Sequence, residues 1–168
     1  MYFSVRSFGC ALFYLPKGER KMNVWLMNLK DNRDNPVPEL EMTKFEFCKS
    51  KGIIGIGWVG YDENSDDSAF LLANNYLNSF AVGDLVWTKD PENKVIYLCK
   101  VTSHIQSTDT AFNKYDISKY CKCDYIEIGS ADNLPEGISK ENLISRRTIT
   151  KANNRIADAT VKFYNEIN

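Results

Sequence analysis

The stretch that decides the fold is Val82-Gly-Asp-Leu-Val-Trp-Thr-Lys-Asp90, followed by Pro91-Glu-Asn-Lys94 and by Val95-Ile-Tyr-Leu-Cys-Lys-Val-Thr102. Both outer segments are rich in the β-branched and aromatic residues that favour strands. The segment between them begins with proline, which presets the backbone for a turn. The pattern therefore predicts a β-hairpin closed by a short proline turn.

The residues before this hairpin predict a strand, a helix, a second strand and a second helix. The first strand covers 23–29 and leads into a polar loop that contains prolines. A helix is expected over 39–51, because apolar residues recur at helical offsets and Gly52 can cap its end. The apolar run Ile53-Ile-Gly-Ile-Gly-Trp58 is typical of a buried strand. Asp67 or Ser68 can then cap a second helix that reaches Phe80.

The residues after the hairpin predict two more strands, at 115–117 and 121–128, then a short helix and a brief strand around Ile149. A final helix is expected over 152–167. The order gives strands with helices inserted early and one helix at the end. It predicts an α+β fold with a curled mixed β-sheet or small β-barrel and flanking helices, rather than a parallel βαβ sheet.

Composition is that of an ordinary globular domain. The chain has 168 residues, of which 43% are hydrophobic and 26% charged. No apolar run approaches the roughly 20 residues of a membrane-spanning helix. The five cysteines are irregularly spaced, which indicates reduced thiols rather than a disulfide framework. We therefore expect one domain over 23–168, a cytoplasmic location and no membrane partner.

Residues 1–22 differ from the rest, because they are apolar and aromatic at first and then abruptly basic. This order is close to the reverse of a secretion signal. The segment Lys17-Gly-Glu-Arg-Lys-Met22 can be encoded by a purine-rich ribosome-binding sequence ahead of a start codon. We interpret 1–22 as a leader, with Met22 as a candidate native start. The alternative is an added edge strand.

The charges are unevenly placed, although the net charge is only -1. Lys and Arg are outnumbered six to twelve by Asp and Glu over 23–93, whereas over 94–168 they lead by eleven to nine. The densest basic group is predicted to contact nucleic-acid phosphates, and its alternative role is a solvated surface. It consists of Arg146, Arg147, Lys151 and Arg155.

Motifs of common catalysts are missing, so we expect a binding module that is not an enzyme and has no cofactor or metal. The glycines of 52–57 do not have the spacing of a phosphate loop. One enzyme alternative is a metal-dependent nuclease that uses Asp84 or Asp90 with Glu92 and Lys94, but these residues fall in a turn, where a metal is hard to fix. Another is a nucleophile relay that joins His104, the single histidine, with Cys99 or Ser103.

Three segments in this order resemble the PUA-like superfamily, and in particular the EVE-like and YTH-like domains attached to modification-dependent restriction systems. They are Val24-Trp-Leu-Met-Asn28, Gly52-Ile-Ile-Gly-Ile-Gly-Trp58 and the hairpin from Val82 to Thr102. The resemblance covers roughly residues 23–155. It implies recognition of a nucleic-acid base, often a modified one, that is flipped into an aromatic pocket.

By position, the resemblance assigns Trp58, Trp87 and, less directly, Trp25 to the walls of that pocket. An extruded base is held by stacking on aromatic faces and by hydrogen bonds to its edge, for which Asn28 and Asp84 are candidates. The alternative for each tryptophan is packing in the core. Asp84 can equally satisfy local backbone groups.

The expected partner is therefore DNA or RNA that carries a modified base, in a bacterial or phage defence context. A restriction or CRISPR-type protein is a further partner to consider. The alternative function is a protein-interaction factor, an accessory or inhibitor of a defence system that binds a basic partner. Its binding face would be the acidic loop of Asp62, Glu63, Asp66 and Asp67.

Overall fold

A computed structural model describes residues 21–30, 40–57, 68–108, 110–143 and 147–168. These residues form seven strands and four α-helices. In chain order they are β1 Val24–Met27, α1 Lys44–Lys51, β2 Ile53–Ile56, α2 Ser68–Asn78, β3 Leu85–Lys89, β4 Ile96–Val101, β5 Gln106–Ser107, α3 Thr110–Asn113, β6 Lys119–Gly129, β7 Ile149–Lys151 and α4 Asn154–Ile167. Two short 3₁₀ helices cover Ala131–Asn133 and Lys140–Leu143.

The strands form one mixed sheet, as the sequence predicts. Its order is β2-β6-β4-β3-β1-β7, and β5 pairs with β6 beside this path. Strand β1 runs parallel to β3, and the other pairs are antiparallel. Helix α2 packs against both β2 and β7, the two ends of the path, so the sheet curls around this helix. The predicted curled mixed sheet with flanking helices is confirmed.

The predicted hairpin is confirmed as β3 and β4, which pair from Leu85 with Lys100 to Lys89 with Ile96. Asp90 closes the turn. Its carboxylate accepts hydrogen bonds from the backbone N–H groups of Glu92 at 2.8 Å and Asn93 at 3.1 Å, and from the Asn93 side chain at 2.9 Å. Lys94 ends the turn with a φ of 62°, in the left-handed region.

The two faces of the sheet carry separate cores. In β1, Trp25 and Met27 point to the inner face, where α1 and α2 pack, whereas Val24 and Leu26 point to the outer face. Helix α4 covers the outer face with Ile156, Ala157 and Thr160 buried. This alternation follows from the two-residue period of a strand.

Two local predictions were wrong. Helix α1 begins at Lys44 rather than at residue 39, because Thr43 and Glu46 form a capping box that fixes its start. The predicted strand at 115–117 is a turn in which Asp116 has a φ of 56°. Gly52 caps α1 in the left-handed conformation, as predicted.

No helix within the described ranges is long and apolar enough to cross a lipid bilayer.

Candidate functional site

Trp87 lies in the outer core and not at an open surface. Its side chain is 1% exposed beneath α4, and its ring stacks near Phe163 with the centroids 6.5 Å apart. The indole N–H donates to the Thr160 hydroxyl at 2.9 Å. Both its faces and its polar atom are therefore used by the fold, which is the alternative that the sequence left open for this residue.

Trp25 and Asp84 form a buried polar junction between β1 and the turn before β3. Trp25 is 2% exposed and donates its indole N–H to the Asp84 carboxylate at 3.0 Å. The same carboxylate accepts from the backbone N–H groups of Asn23 at 3.1 Å and Ala81 at 3.2 Å. Asp84 thus satisfies local donors, which was the alternative to reading a base edge, and the Trp25 ring packs against Tyr76 of α2 and against Phe80 just after it.

Trp58 lies outside the described residues, so its place in a base pocket stays a prediction. The strand that leads to it is tightly constrained. A Cβ atom on Gly55 would lie 2.7 Å from the Lys119 carbonyl oxygen, and one on Gly57 would lie 2.2 Å from that of Asp116. Only glycine permits this close backbone approach. The chain therefore reaches residue 58 from a fixed position at the edge of the inner core.

The predicted basic group is spread around β7 and the start of α4. Lys151 is exposed in β7, with its ammonium 5.5 Å from the centre of the Trp25 ring. Arg147 precedes this strand and Arg155 lies in the first turn of α4, and both are exposed. Arg146 lies outside the described residues. The phosphate role of this group stays a prediction.

Asn28 is exposed just after β1, beside two adjoining cavities. One has a volume of about 640 Å³, and its lining combines the apolar Leu29, Leu40, Met42 and Phe45 with the acidic Glu41, Glu46 and Glu92. The other has a volume of about 350 Å³ and includes Asn28 in its lining. Lys30 and Pro91 line both cavities, so the two are adjacent.

Sequence reasoning missed Lys30 and Lys89 of the smaller cavity, and it named Lys94 only within the nuclease alternative. Lys30, Lys89 and Lys94 line it together with Met27, Asn28, Pro91 and Leu143. Lys30 follows β1, whereas Lys89 ends β3 and Lys94 ends the hairpin turn. Because these lysines are far apart along the chain, they form no local run of charge from which a basic site could be predicted. The parallel pairing of β1 with β3 brings them to one end of the sheet.

The residues of the enzyme alternatives are placed differently from a catalytic site. Asp84 and Asp90 are committed to the hydrogen bonds given above. His104 is exposed, while Cys99 is completely buried. No group of three or more potential metal ligands occurs in the part of the chain that the structure describes.

Four cysteines lie in the inner core as free thiols: Cys48, Cys99, Cys121 and Cys123. Burial raises the pKa of Cys48 to about 12 and raises that of Cys99 and Cys121 as well. A buried thiol with a raised pKa is unreactive, because the thiolate is the nucleophile.

We expect these four thiols to resist a disulfide reagent at pH 8 in the native protein and to react once urea unfolds the chain. A thiol titration with and without denaturant measures this difference. Fast native reaction of more than the remaining cysteine, Cys10, would contradict the buried placement.

No protein-family model and no curated protein matches the chain. Solved structures that match it include the YTH domain of the Zygosaccharomyces rouxii MRB1 protein in complex with N6-methyladenosine RNA, with 12% identity and a TM-score of 0.47 over 86% of this chain and 88% of that one. Another is a structural-genomics protein from Agrobacterium tumefaciens, with 15% identity and a TM-score of 0.43 over 86% of this chain and 92% of that one. Function therefore has to be inferred from the chain's own residues.

Proposed function

We propose that this protein is a non-catalytic nucleic-acid-binding module that takes a base, and in particular a modified base, out of its strand. The observation that carries the proposal is the pair of adjoining cavities at the end of β1. The larger, of about 640 Å³, combines apolar side chains with the carboxylates of Glu41, Glu46 and Glu92, and the smaller holds an amide and three lysines. A nucleotide presents the matching chemistry, since a flat apolar base with a hydrogen-bonding edge is joined to an anionic phosphate.

The larger cavity suits the base. Its volume is within the range of small-molecule sites, which combine apolar walls with a few polar groups. Leu29, Leu40 and Met42 supply apolar contacts. Trp58 remains our candidate for the stacking partner, because the base of a flipped nucleotide needs an aromatic face.

Asn28 suits the edge of the base. Its side-chain carbonyl oxygen accepts the backbone N–H of Lys30 at 3.0 Å, which orients the amide. The amide N–H groups then remain to donate to a ring nitrogen or carbonyl of the base. A bidentate or well-placed amide contact of this kind discriminates between bases.

The non-catalytic part of the proposal is supported by the placement of the reactive groups. The carboxylates of Asp84 and Asp90 serve the fold, and the buried Cys99 thiol lies beyond the reach of a substrate. A place in a restriction or phage-defence system belongs to the same proposal, and the neighbouring genes would test it.

Asn28→Ala is expected to weaken binding of the preferred oligonucleotide by about 1–3 kcal/mol and to reduce discrimination between bases. Thermal stability should change little, since the side chain is exposed. Fluorescence titration of single-stranded RNA and DNA, with and without modified bases, measures both effects. Asn78→Ala is the matched control, because Asn78 is also exposed and lines neither cavity.

Equal losses for Asn28→Ala and Asn78→Ala would remove the base-edge role. If the wild-type protein binds neither nucleic acid at low salt, the module proposal fails as a whole. The protein-interaction alternative would then lead, and its acidic loop at Asp62, Glu63, Asp66 and Asp67 lies outside the described residues.

A further inference from the structure

We propose that Lys30, Lys89 and Lys94 form a phosphate-binding site at the β3–β4 turn, with Lys140 adding to its positive potential. The inference rests on the proposed function for the source of the phosphate, which would be the backbone of the bound nucleic acid. The site is distinct from the basic group around β7.

The first support is the convergence of positive charge. Lys30, Lys89 and Lys94 line one cavity of about 350 Å³. Lys94 also lines a second cavity, of about 370 Å³, together with Lys140 and the backbone of Gly129 to Asp132. Lysines held together repel one another, and an anion placed between them removes that repulsion.

The position of Lys89 fits this convergence of charge. Burial lowers its pKa below the ordinary value, and the nearby charges of Lys140 and Lys94 lower it further. Asp90 and Glu92 belong to the same turn, but neither lines the smaller cavity, so the charged side chains among its described lining residues are all lysines.

The second support is the backbone of Lys94. Its φ of 62° is a conformation that glycine or asparagine adopts readily and lysine does not. Residues held in such strained conformations cluster at ligand-binding sites. The Lys94 ammonium donates to the Pro91 carbonyl, so it is held over the turn where both cavities meet.

The chemistry requires a compact anion with several acceptor oxygens. Lysine ammonium groups bind phosphate as point charges with rotatable donors, and three of them surround one phosphate without strict geometry. A nucleic-acid backbone and a free phosphate or phosphomonoester share this chemistry. The test therefore has to separate these two sources.

The test compares the double variant Lys89→Gln/Lys94→Gly with the wild-type protein. Glycine at 94 removes the charge and relieves the strained φ, so the variant should fold and Lys94→Gly alone should raise the melting temperature. The control is Lys122→Gln/Lys162→Gln, which loses the same charge from exposed positions outside both cavities.

We expect the double variant to bind a single-stranded oligonucleotide at least tenfold more weakly at low salt. The slope of log affinity against log salt should fall by about 1.4, the value for two lost contacts on a single strand. The control should leave the slope unchanged. An equal change in both variants, or an unchanged slope in the double variant, would overturn the site while the module proposal stands.

A second arm uses inorganic phosphate alone and follows the melting temperature. If the wild-type protein binds no oligonucleotide but phosphate stabilises it and not the double variant, the phosphate site stands and its ligand is a small phosphorylated molecule. The module proposal then fails separately. If neither oligonucleotide nor phosphate distinguishes the wild-type protein from the double variant, the site is wrong.

Discussion

Lys44→Met is expected to reduce the free energy of unfolding by about 3–5 kcal/mol, because it removes the buried cation that pairs with the Asp116 carboxylate in the interior. The Lys44 ammonium lies 3.1 Å from the Asp116 carboxylate, and each side chain is 2% exposed. Water cannot replace the lost partner at such a position. The loss therefore exceeds by far that of a surface ion pair.

The surroundings of the Lys44–Asp116 pair explain why the expected loss of stability is large. Lys44 is the first residue of α1, where the helix dipole disfavours a positive charge, so its ammonium depends on the carboxylate. Asp116 has a φ of 56°, and its backbone lies so close to Gly57 that a Cβ atom on residue 57 would be 2.2 Å from the Asp116 carbonyl oxygen. The pair thus ties α1 to the segment that supports the end of β2, just before Trp58.

Urea unfolding of Lys44→Met, Asp116→Asn and the double variant measures the effect. The double variant should lose less than the sum of the single variants, because it buries no unpaired charge. Lys49→Met is the control on the same helix. Lys49 pairs with Glu127 at 3.8 Å and donates to the Tyr97 hydroxyl at 2.8 Å, but it is 43% exposed, so its loss should be clearly smaller than that of Lys44→Met. Equal losses for Lys44→Met and Lys49→Met would show that the buried pair does not stabilise the fold.

The parts of the fold that could be predicted are those specified by neighbouring residues, such as strand-forming runs, turns and helix caps. The hairpin of β3 and β4 follows from two strand-forming runs around a proline turn. The start of α1 was readable as well, since Thr43 and Glu46 have the spacing of a capping box, but apolar residues further upstream suggested a longer helix.

The turn at Asp116 could not be predicted in this way. Tyr115 and Ile117 suit a strand, and both are buried. What bends the chain is a partner 72 residues away, because the carboxylate of Asp116 has to meet Lys44 in the interior. Tertiary contacts of this kind override local propensity.

The candidate site also has one part that the sequence could suggest and another that depends on the three-dimensional fold. Asn28 could be selected from its place after a strand, whereas the lysine cavity depends on β1 lying beside β3. The sequence could not decide whether Trp25 and Trp87 line a base pocket or pack in the core, and the reason is a different one. A tryptophan in a strand can face a core on either side of this sheet, and the sequence does not show which helix covers it.

Trp87→Ala is expected to cost about 3–5 kcal/mol of folding free energy, since it empties a large volume beneath α4. Trp87 is among the largest side chains that are fully buried. Trp87→Phe should cost less, because phenylalanine keeps an aromatic ring at this position. The substitution removes the hydrogen bond to Thr160 but only part of the side-chain volume.

Thr160→Val removes that hydrogen bond together with the one that the Thr160 hydroxyl donates to the Ile156 carbonyl at 2.7 Å. It takes away the acceptor of the indole N–H at nearly constant shape and should cost about 1–3 kcal/mol, mainly the penalty for an unsatisfied buried donor. Urea unfolding gives all three values, and oligonucleotide affinity per folded molecule should be unchanged in each variant. If Trp87→Ala instead kept the stability and lost the affinity, this indole would belong to the binding site, and α4 would have to move away to expose it.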